Sequence, residues 1–247
     1  MLKEFRADLH IHTCLSPCAD LDMTPSAIVN AAVEKGIDII AVTDHNSAEN
    51  TEAARKAAEN KRITVLSGME VTSDEEAHIL ALFDNVESVM RLQDTVYESL
   101  LPGSNDTAKF GDQVVVNEAN EVLGFNHRLL IGATTLPASE IVNVIHSLGG
   151  LSIASHIDRE AFSIVSQLGF IPDDMKFDAL EMSPRISRET ASNLYGDYTR
   201  MPWVSSSDSH NIDNIGKRTT LFYLKEPTIA EISYALRGID GRKVEWG

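Results

Sequence analysis

The sequence predicts an α/β fold in which parallel strands are covered by helices, arranged either as a barrel or as an open sheet. Short apolar runs rich in β-branched residues alternate with amphipathic helical stretches along almost the whole chain. Residues 37–43 form a nearly continuous apolar run, which is typical of a buried parallel strand. The length of 247 residues suits one sizeable core. It also matches the roughly 250 residues of a (β/α)8 barrel.

Local signals define the individual elements in chain order. Thr24 and Pro25 provide an N-cap and a first-turn proline, and Gly36 ends the same helix. Ser47 is expected to cap the next helix, and the glycine pair at 149–150 ends a later one. The predicted strands cover residues 5–13, 37–43, 63–71, 77–83, 151–156, 179–183 and 203–206. The predicted helices cover residues 25–35, 47–57, 87–101, 137–148, 159–168, 187–195 and 228–237.

One stretch interrupts this alternation. Within residues 102–136, the apolar runs 114–116 and 122–125 flank a short polar segment. This pattern predicts a small β-hairpin inserted into the scaffold. Because the sequence contains no internal repeat and no Pro/Ser-rich linker, we expect residues 1–247 to form a single domain.

The charge balance is strongly acidic. There are 21 Lys and Arg against 37 Asp and Glu, which gives a formal net charge of −16. A surface of that sign repels DNA and anionic lipid, so we expect neither a long nucleic acid nor a membrane surface as a partner. A small anionic substrate at one local site remains compatible with this charge.

Two further features concern the cellular compartment. No apolar run approaches the ~20 residues of a membrane helix, and the charged start of the chain lacks a signal-peptide core. We therefore expect a cytoplasmic protein. Cys14 and Cys18 are the two cysteines, and such a pair defines neither a disulfide framework nor a structural metal site. We interpret them as reduced thiols, with a redox-sensitive pair as the alternative.

The strongest chemical signal is the first predicted strand, which contains Asp8-Leu9-His10-Ile11-His12. Residues two apart on a strand share a face, so His10 and His12 point the same way with Asp8 behind them. Leu9 and Ile11 are expected to point toward the helices. Two adjacent buried imidazoles are unfavourable unless their lone pairs are bound, and a divalent cation binds them well. The alternative interpretation is a solvated His-x-His at a strand end.

Histidines and carboxylates recur at the termini of later strands. Because the active site of an α/β barrel lies where its strands end, this recurrence predicts a site at the barrel mouth. His127 and His146 fall outside the pattern and are interpreted as surface or packing residues. Asp8 and Asp44 are expected to orient histidines. The recurring residues are His45, Glu70, His78, His156, Asp208 and His210.

Five segments taken together resemble the PHP (polymerase and histidinol phosphatase) family. The resemblance extends over nearly the whole chain and implies a distorted (β/α)7 TIM-like barrel, here with the small inserted hairpin. It also implies a trinuclear metal centre that hydrolyses phosphate esters. The segments are Asp8-Leu9-His10-Ile11-His12-Thr13, Thr43-Asp44-His45-Asn46, Gly68-Met69-Glu70, Ser155-His156-Ile157-Asp158-Arg159 and Ser207-Asp208-Ser209-His210.

The resemblance implies nine ligands for three ions, with one carboxylate bridging the first two. Their identities follow from the positions that match the family's motifs. The first ion would be held by His10, His12, Glu70 and Asp208, the second by Glu70, His78 and His156, and the third by Asp20, His45 and His210.

Two of these assignments have competitors in the sequence. Asp20 is preferred to Asp22 because of its spacing before Thr24. His78 is preferred to His127 because it opens the strand that follows the bridging carboxylate.

The ligand types also indicate the chemistry. Imidazole combined with carboxylate suits Zn²⁺, Mn²⁺ or Fe²⁺, and closely spaced ions activate a hydroxide for attack at phosphorus. Within the set, the catalytic role is assigned to Glu70, Asp208 and His210. Arg159 and Arg185 are candidates for contacting the phosphate, with solvated surface arginines as the alternative.

These inferences predict a metal-dependent phosphoesterase acting on a small phosphorylated metabolite or a nucleotide, with the oligomeric state left open. Substrate candidates are histidinol phosphate, a nucleoside bisphosphate, or the 5′ end of a short oligonucleotide, as in a 5′-nucleotidase or an exonuclease. Two alternatives come from other classes. One is a noncatalytic, metal-stabilised binding module, and the other is a metal-dependent amidohydrolase, since the same ligands suit C–N hydrolysis.

Overall fold

The computed structural model describes residues 1–246, and Gly247, the last residue of the predicted domain, lies outside the described part. A nine-stranded mixed sheet and a separate two-stranded sheet form its framework. The strands are β1 (Lys3–Ile11), β2 (Ile39–Val42), β3 (Thr64–Thr72), β4 (His78–Phe83), β5 (Val114–Val116), β6 (Val122–Phe125), β7 (Leu151–Ala154), β8 (Ala179–Met182), β9 (Trp203–Ser205), β10 (Thr220–Leu224) and β11 (Lys243–Trp246). The α-helices are α1 (Pro25–Glu34), α2 (Thr51–Ala57), α3 (Val86–Ser99), α4 (Thr107–Phe110), α5 (Ala138–Ser147), α6 (Ile164–Leu168), α7 (Arg188–Leu194) and α8 (Ile229–Leu236).

Some elements differ from their predicted bounds. α2 begins at Thr51 rather than after Ser47, because the Ser47 hydroxyl bonds instead to Tyr97 Oη at 2.7 Å. The helix predicted over residues 159–168 is reduced to α6, and β10 and β11 were not predicted. Within residues 1–246, no helix is both long enough and apolar enough to cross a membrane.

Seven strands, β1, β2, β3, β4, β7, β8 and β9, lie side by side in that order. The segment after β9 returns to β1, since Ser209 N donates to the His10 carbonyl oxygen (3.3 Å) and His12 N donates to the Ser209 carbonyl oxygen (3.0 Å). β10 and β11 extend the sheet beyond β1 as an antiparallel pair. The seven strands thus form a nearly closed, distorted TIM-like barrel, and the predicted fold class is confirmed.

One barrel strand departs from the parallel arrangement that the sequence predicts. β4 is antiparallel to both β3 and β7. A tight turn, in which Ser73 N donates to the Ala77 carbonyl oxygen at 2.9 Å, joins β3 directly to β4 without a crossover helix. The reversal pairs His78, the first residue of β4, with Thr72 at the carboxyl end of β3. A histidine that opens a strand therefore reaches the same mouth as residues that end the other strands.

The barrel interior below the mouth is apolar. One cluster of buried side chains has members from all seven barrel strands, including Leu9, Ile39 and Leu80. Ile11 packs instead with apolar residues of α1 and α2. The expectation that Leu9 and Ile11 share one face is therefore wrong, because the pairing of β1 with β2 shifts register between Asp8 and Ile11.

The predicted hairpin is present. β5 and β6 pair antiparallel, with Val114 opposite Phe125. Val114 N donates to the Cys14 carbonyl oxygen at 2.9 Å, and Asn50 Nδ2 donates to the Val114 carbonyl oxygen at 3.0 Å. These bonds anchor the hairpin on the loop that follows β1 and on the residue that precedes α2. In the same loop Cys14 is buried and Cys18 is exposed, and both are free thiols.

Gly68 in β3 provides a test of the barrel packing. A Cβ at this position would lie 2.8 Å from the Val42 carbonyl oxygen and 2.7 Å from Thr43 Cγ2. Because that oxygen moves only if β2 moves, we expect Gly68→Ala to lower the free energy of unfolding by about 1–3 kcal/mol. Gly124→Ala in β6 is the matched control, since a Cβ there meets nothing within 4 Å. Urea unfolding measures both, and equal midpoints would contradict the prediction.

Candidate metal centre

A polar cluster occupies the barrel mouth, directly above the apolar interior. It consists of six histidines and two carboxylates, and seven of these eight residues are buried. They come from the ends of β1, β2, β3, β7 and β9 and from the start of β4. Its members are His10, His12, His45, Glu70, His78, His156, Asp208 and His210.

Glu70 lies at the centre of this cluster. Five imidazole nitrogens surround its carboxylate, which is 1% exposed. The oxygen Oε1 lies 3.1 Å from His78 Nδ1 and 3.3 Å from both His10 Nε2 and His156 Nε2. The oxygen Oε2 lies 3.2 Å from His45 Nδ1 and 3.5 Å from His12 Nε2.

The possible ligand atoms form three overlapping groups, each with its atoms within 4.8 Å of one another. His12 belongs to two of them, and His45 also belongs to two. Neighbouring groups therefore share a ligand. The groups are His10, His12 and Asp208; His12, His45 and His210; and His45, Glu70 and His78.

The hydrogen bonds of His10 and His12 define which nitrogens face the centre. His10 Nδ1 lies 2.9 Å from Glu181 Oε2. His12 Nδ1 lies 3.0 Å from Ser16 Oγ, and that hydroxyl donates to Asp44 Oδ1 at 2.6 Å. Both Nδ1 atoms therefore donate, which leaves the two Nε2 atoms facing each other at 3.2 Å. Two imidazole lone pairs at this distance need a proton or a metal ion between them.

Other buried atoms also lack partners. His45 Nδ1, His78 Nδ1 and Glu70 Oε1 are buried without a hydrogen bond, although they approach one another within the cluster. Such atoms are unfavourable unless an ion binds them. The combination of imidazole nitrogen and carboxylate oxygen fits a divalent transition metal.

Burial and neighbouring charges shift the pKa values of the cluster residues in different directions. Burial acts to lower the pKa of His10, but the neighbouring carboxylates, above all Glu181, outweigh it and hold this pKa well above its usual range. Burial lowers the pKa of His12 to about 4. Burial acts to raise the pKa of Glu70, but the adjacent histidines, above all His78, hold it well below its usual range. The centre thus keeps an ionised carboxylate beside a neutral imidazole, the state in which both bind metal.

Glu181 was missed by the sequence analysis. It lies in β8, is 1% exposed, and accepts hydrogen bonds from His10 Nδ1 (2.9 Å) and His156 N (3.1 Å). One acidic residue inside an otherwise apolar strand was the only signal for it. Its carboxylate orients an imidazole of the cluster, as metal-binding histidines commonly require.

The two carboxylates expected to orient histidines act through intermediates. Asp44 accepts from Ser16 Oγ and from Thr13 N at 2.7 Å, so it fixes the loop that contacts His12. Asp8 accepts from the backbone N of Ser207 and of Gly216, both at 2.9 Å. It therefore holds the segment that carries Asp208 and His210.

The remaining site predictions lie around the cluster. Asp20 is exposed and belongs to none of the three ligand groups found in residues 1–246. Its backbone N donates to the His210 carbonyl oxygen at 2.9 Å, so its role as a ligand stays a prediction. Its competitor Asp22 is also exposed, and His127 lies outside the cluster. His146 pairs with Asp178 at 2.8 Å, away from the cluster.

Both candidate arginines lie at the mouth. Arg159 Nη1 is 2.8 Å from Asp208 Oδ2, and its side chain is 31% exposed. Arg185 is exposed and lines the same cavity as Arg159.

A family model decides the classification. The model of the PHP domain matches residues 8–161, more than half of the chain. The chain belongs to the PHP domain family. Proteins of this family are metal-dependent phosphoesterases, which hydrolyse phosphate esters with divalent metals. The resemblance inferred from the sequence motifs is confirmed.

Curated relatives of this PHP chain are distant. It is 23% identical over 188 residues to a 5′-3′ exoribonuclease of Haemophilus influenzae, and this alignment covers 60% of this chain and 68% of that protein. It is 28% identical over 105 residues to the uncharacterized protein YqxK of Bacillus subtilis, and this alignment covers 40% of this chain and 27% of that protein.

Two solved structures resemble nearly the whole of this chain. The lesion-specific endonuclease PfuEndoQ of Pyrococcus furiosus has a TM-score of 0.74 at 20% identity, covering 98% of this chain and 58% of that chain. A two-domain protein of Bacteroides vulgatus that contains a predicted PHP-like metal-dependent phosphoesterase has a TM-score of 0.59 at 15% identity, covering 100% and 65%. The chain therefore spans less than two thirds of the length of either structure, and these likenesses establish its fold.

The prediction of a small phosphorylated substrate, with long nucleic acid excluded, is wrong. A complex of endonuclease Q, which also has a TM-score of 0.74, holds a 27-mer duplex with an abasic lesion at the active site. The net charge of −16 is a sum over the whole surface, whereas a strand is held by the field of one site. Divalent ions bound at the mouth, together with Arg159 and Arg185, would make that local field more positive.

Glu181 generates a test of the centre. We expect Glu181→Gln to weaken the binding of divalent metal by about 10–100-fold, because His10 loses the charged acceptor that orients it. Glu189→Gln, an exposed substitution in α7, is the matched control. Competition with a chromogenic chelator measures the affinity. An unchanged dissociation constant would show that Glu181 does not support the ligands.

Proposed function

We propose that this chain is a metal-dependent nuclease that hydrolyses a phosphodiester bond of nucleic acid at a trinuclear centre. The observation that carries the proposal is the ring of five imidazole nitrogens around the buried carboxylate of Glu70, at the barrel mouth. An arrangement of buried ligands with unpartnered atoms is characteristic of a functional site rather than of packing.

The ligand assignment is part of this proposal. Three groups of possible ligand atoms support three ions. His156 adjoins the group of His45, Glu70 and His78, since its Nε2 lies 3.3 Å from Glu70 Oε1. Asp20 becomes a ligand if its exposed carboxylate turns toward His210, whose carbonyl its backbone already contacts. The proposed ligands are His10, His12, Glu70 and Asp208 for the first ion, Glu70, His78 and His156 for the second, and Asp20, His45 and His210 for the third.

When bound, the ions supply positive charge to the phosphoryl oxygens and lower the pKa of the attacking water. The residues of the chain position the ester. His210 is the most exposed of the six imidazoles, with 28% of its side chain accessible, so it meets the substrate from the open side. Arg159, beside Asp208, donates to a phosphoryl oxygen. Glu70 and Asp208 stay ionised and oppose the charge of the ions.

Nucleic acid as the substrate is supported by the nature of two similar proteins. One is an endonuclease solved with a damaged DNA duplex, and the other is a 5′-3′ exoribonuclease. The acidic surface is compatible with this substrate if only a few nucleotides are held at the mouth, since each bound phosphate requires a cationic partner.

The function is tested with metal-loaded protein and four labelled substrates: single-stranded RNA, single-stranded DNA, intact duplex DNA and duplex DNA with one abasic site. We expect cleavage of at least one with Mn²⁺, Zn²⁺ or Fe²⁺, and none after chelation. Failure on all four by protein that retains its metal would overturn the proposal. Turnover of an amide substrate alone would favour an amidohydrolase.

Removal of single ligands gives a second test. His10→Ala and Asp208→Asn each remove a proposed ligand, so we expect activity to fall on the order of 1,000-fold, several kcal/mol of transition-state stabilisation. Circular dichroism checks that the fold persists, and elemental analysis checks the loss of metal. His127→Ala, an exposed imidazole outside the cluster, is the control. Either variant with wild-type turnover would exclude its residue from the centre.

Arg159 generates a separate prediction. We expect Arg159→Ala to raise KM for the cleaved substrate about 10-fold, because one charge-assisted hydrogen bond to phosphate is lost. Metal content should stay at the wild-type level. Arg159→Lys is the matched comparison, since it keeps the charge without the bidentate geometry. An unaltered KM in the alanine variant would support the alternative of a surface arginine.

A further inference from the structure

A cavity of about 500 Å³ opens beside the metal centre. Its walls are two segments that follow neighbouring strands, residues 158–162 after β7 and residues 183–186 after β8. Asp158 joins the two segments, because its carboxylate accepts from Ser183 N at 2.7 Å and from Ser183 Oγ at 2.6 Å. These bonds fix the width of the cavity.

The cavity adjoins the centre through two of its lining residues. Arg159 pairs with Asp208 at 2.8 Å. The ring of Phe162 stacks on the imidazole of His78, with centroids 4.7 Å apart and planes inclined by 15°. A group bound in the cavity therefore lies next to a phosphate held at the centre.

Phe162 is held in an unusual conformation for an exposed aromatic residue. It is 43% exposed, and its φ of 61° lies in the left-handed region that bulky residues rarely adopt. Its carbonyl oxygen accepts from His78 N at 2.9 Å, which ties this backbone to the start of β4. Strain of this kind persists only where the surrounding structure enforces it, and it is concentrated at ligand sites. The ring is thus presented to the cavity at a conformational cost.

We propose that this cavity is a nucleotide subsite, in which Phe162 stacks on the base next to the cleaved phosphate and Arg185 contacts the following phosphate. The inference rests on the proposed nuclease function. An aromatic face stacks on any base, and an exposed cation contacts the phosphate backbone, so the subsite binds single-stranded nucleic acid without reading its sequence. Arg185 is exposed on the wall opposite Phe162 and is free to reach a phosphate in solvent.

The test compares Phe162→Leu, which removes the aromatic face, with Phe162→Trp, which keeps one. Phe170→Leu is the matched control, since Phe170 is 59% exposed and does not line the cavity. The substrates are an oligonucleotide and a series in which one nucleotide near the cleaved bond is abasic. Kinetics give KM and kcat for each pair, and elemental analysis gives the metal content.

We expect Phe162→Leu to raise KM for the complete oligonucleotide by at least about fivefold, the low end of base stacking on an aromatic side chain. On the abasic substrate that lacks the stacked base, Phe162→Leu should raise KM by less than about twofold. Phe162→Trp should restore the wild-type KM. Equal losses on every substrate, or a parallel loss of metal, would make Phe162 a structural residue and overturn the proposal.

Arg185 is tested by salt dependence. We expect Arg185→Gln to weaken oligonucleotide binding and to reduce the slope of log affinity against log salt by about 1, as for one lost phosphate contact. An unchanged slope would remove Arg185 from the subsite.

Fluorescence anisotropy of the wild-type protein with a labelled oligonucleotide separates this proposal from the proposed function. Binding that depends on Phe162 without cleavage would retain the subsite and overturn the nuclease. Cleavage at the same rate with and without the Phe162 ring would retain the nuclease function and overturn the subsite. If the protein neither binds nor cleaves the oligonucleotide, both the subsite and the nuclease function are overturned.

Discussion

The burial of one carboxylate among imidazoles is the constraint on which the rest of this barrel mouth depends. Glu70 is 1% exposed and is contacted by five imidazole nitrogens. An isolated charge in such a place is strongly unfavourable, and neutral imidazoles alone do not compensate it. Protons or metal ions must supply the balancing charge, so the stability of the mouth and its chemistry share one cause. An ion that binds this cluster only in the folded chain would also stabilise the fold.

The backbone adapts to this constraint where the strands end. His156 and Asp208 have φ angles of 27° and 49°, and Asn46, after β2, has a φ of 49°. All three leave the extended conformation within a few residues of a strand end. The reversal of β4 also places a residue in the cluster, since His78 pairs with Thr72 and its Nδ1 lies 3.1 Å from Glu70 Oε1. Irregular backbone thus occurs at three strand ends beside the cluster, while the lower barrel keeps apolar packing.

Sequence patterns could predict which side chains converge at the mouth, but not everything that supports them. His45 and Glu70 follow or end apolar runs, and strand ends meet at one face of a barrel, so their convergence was predictable. Glu181 was not, because its contact with His10 joins residues 171 positions apart, and no local pattern specifies such a pair. The side chain of Asp20 depends on the conformation of a loop, which periodicity does not describe. The substrate class was misjudged because net charge carries no information about where charges lie.

The contacts of Asp8 join the first strand to a segment far along the chain. This residue, in the first strand, holds the backbone of Ser207 and Gly216, which lie 199 and 208 positions further along the chain. Closing a loop of that length precedes any gain from the contact. A nascent chain therefore exposes its first histidines long before Asp208 and His210 exist to join them. The cluster at the mouth is therefore completed late, only after the segment up to residue 216 has been synthesised and has paired with Asp8.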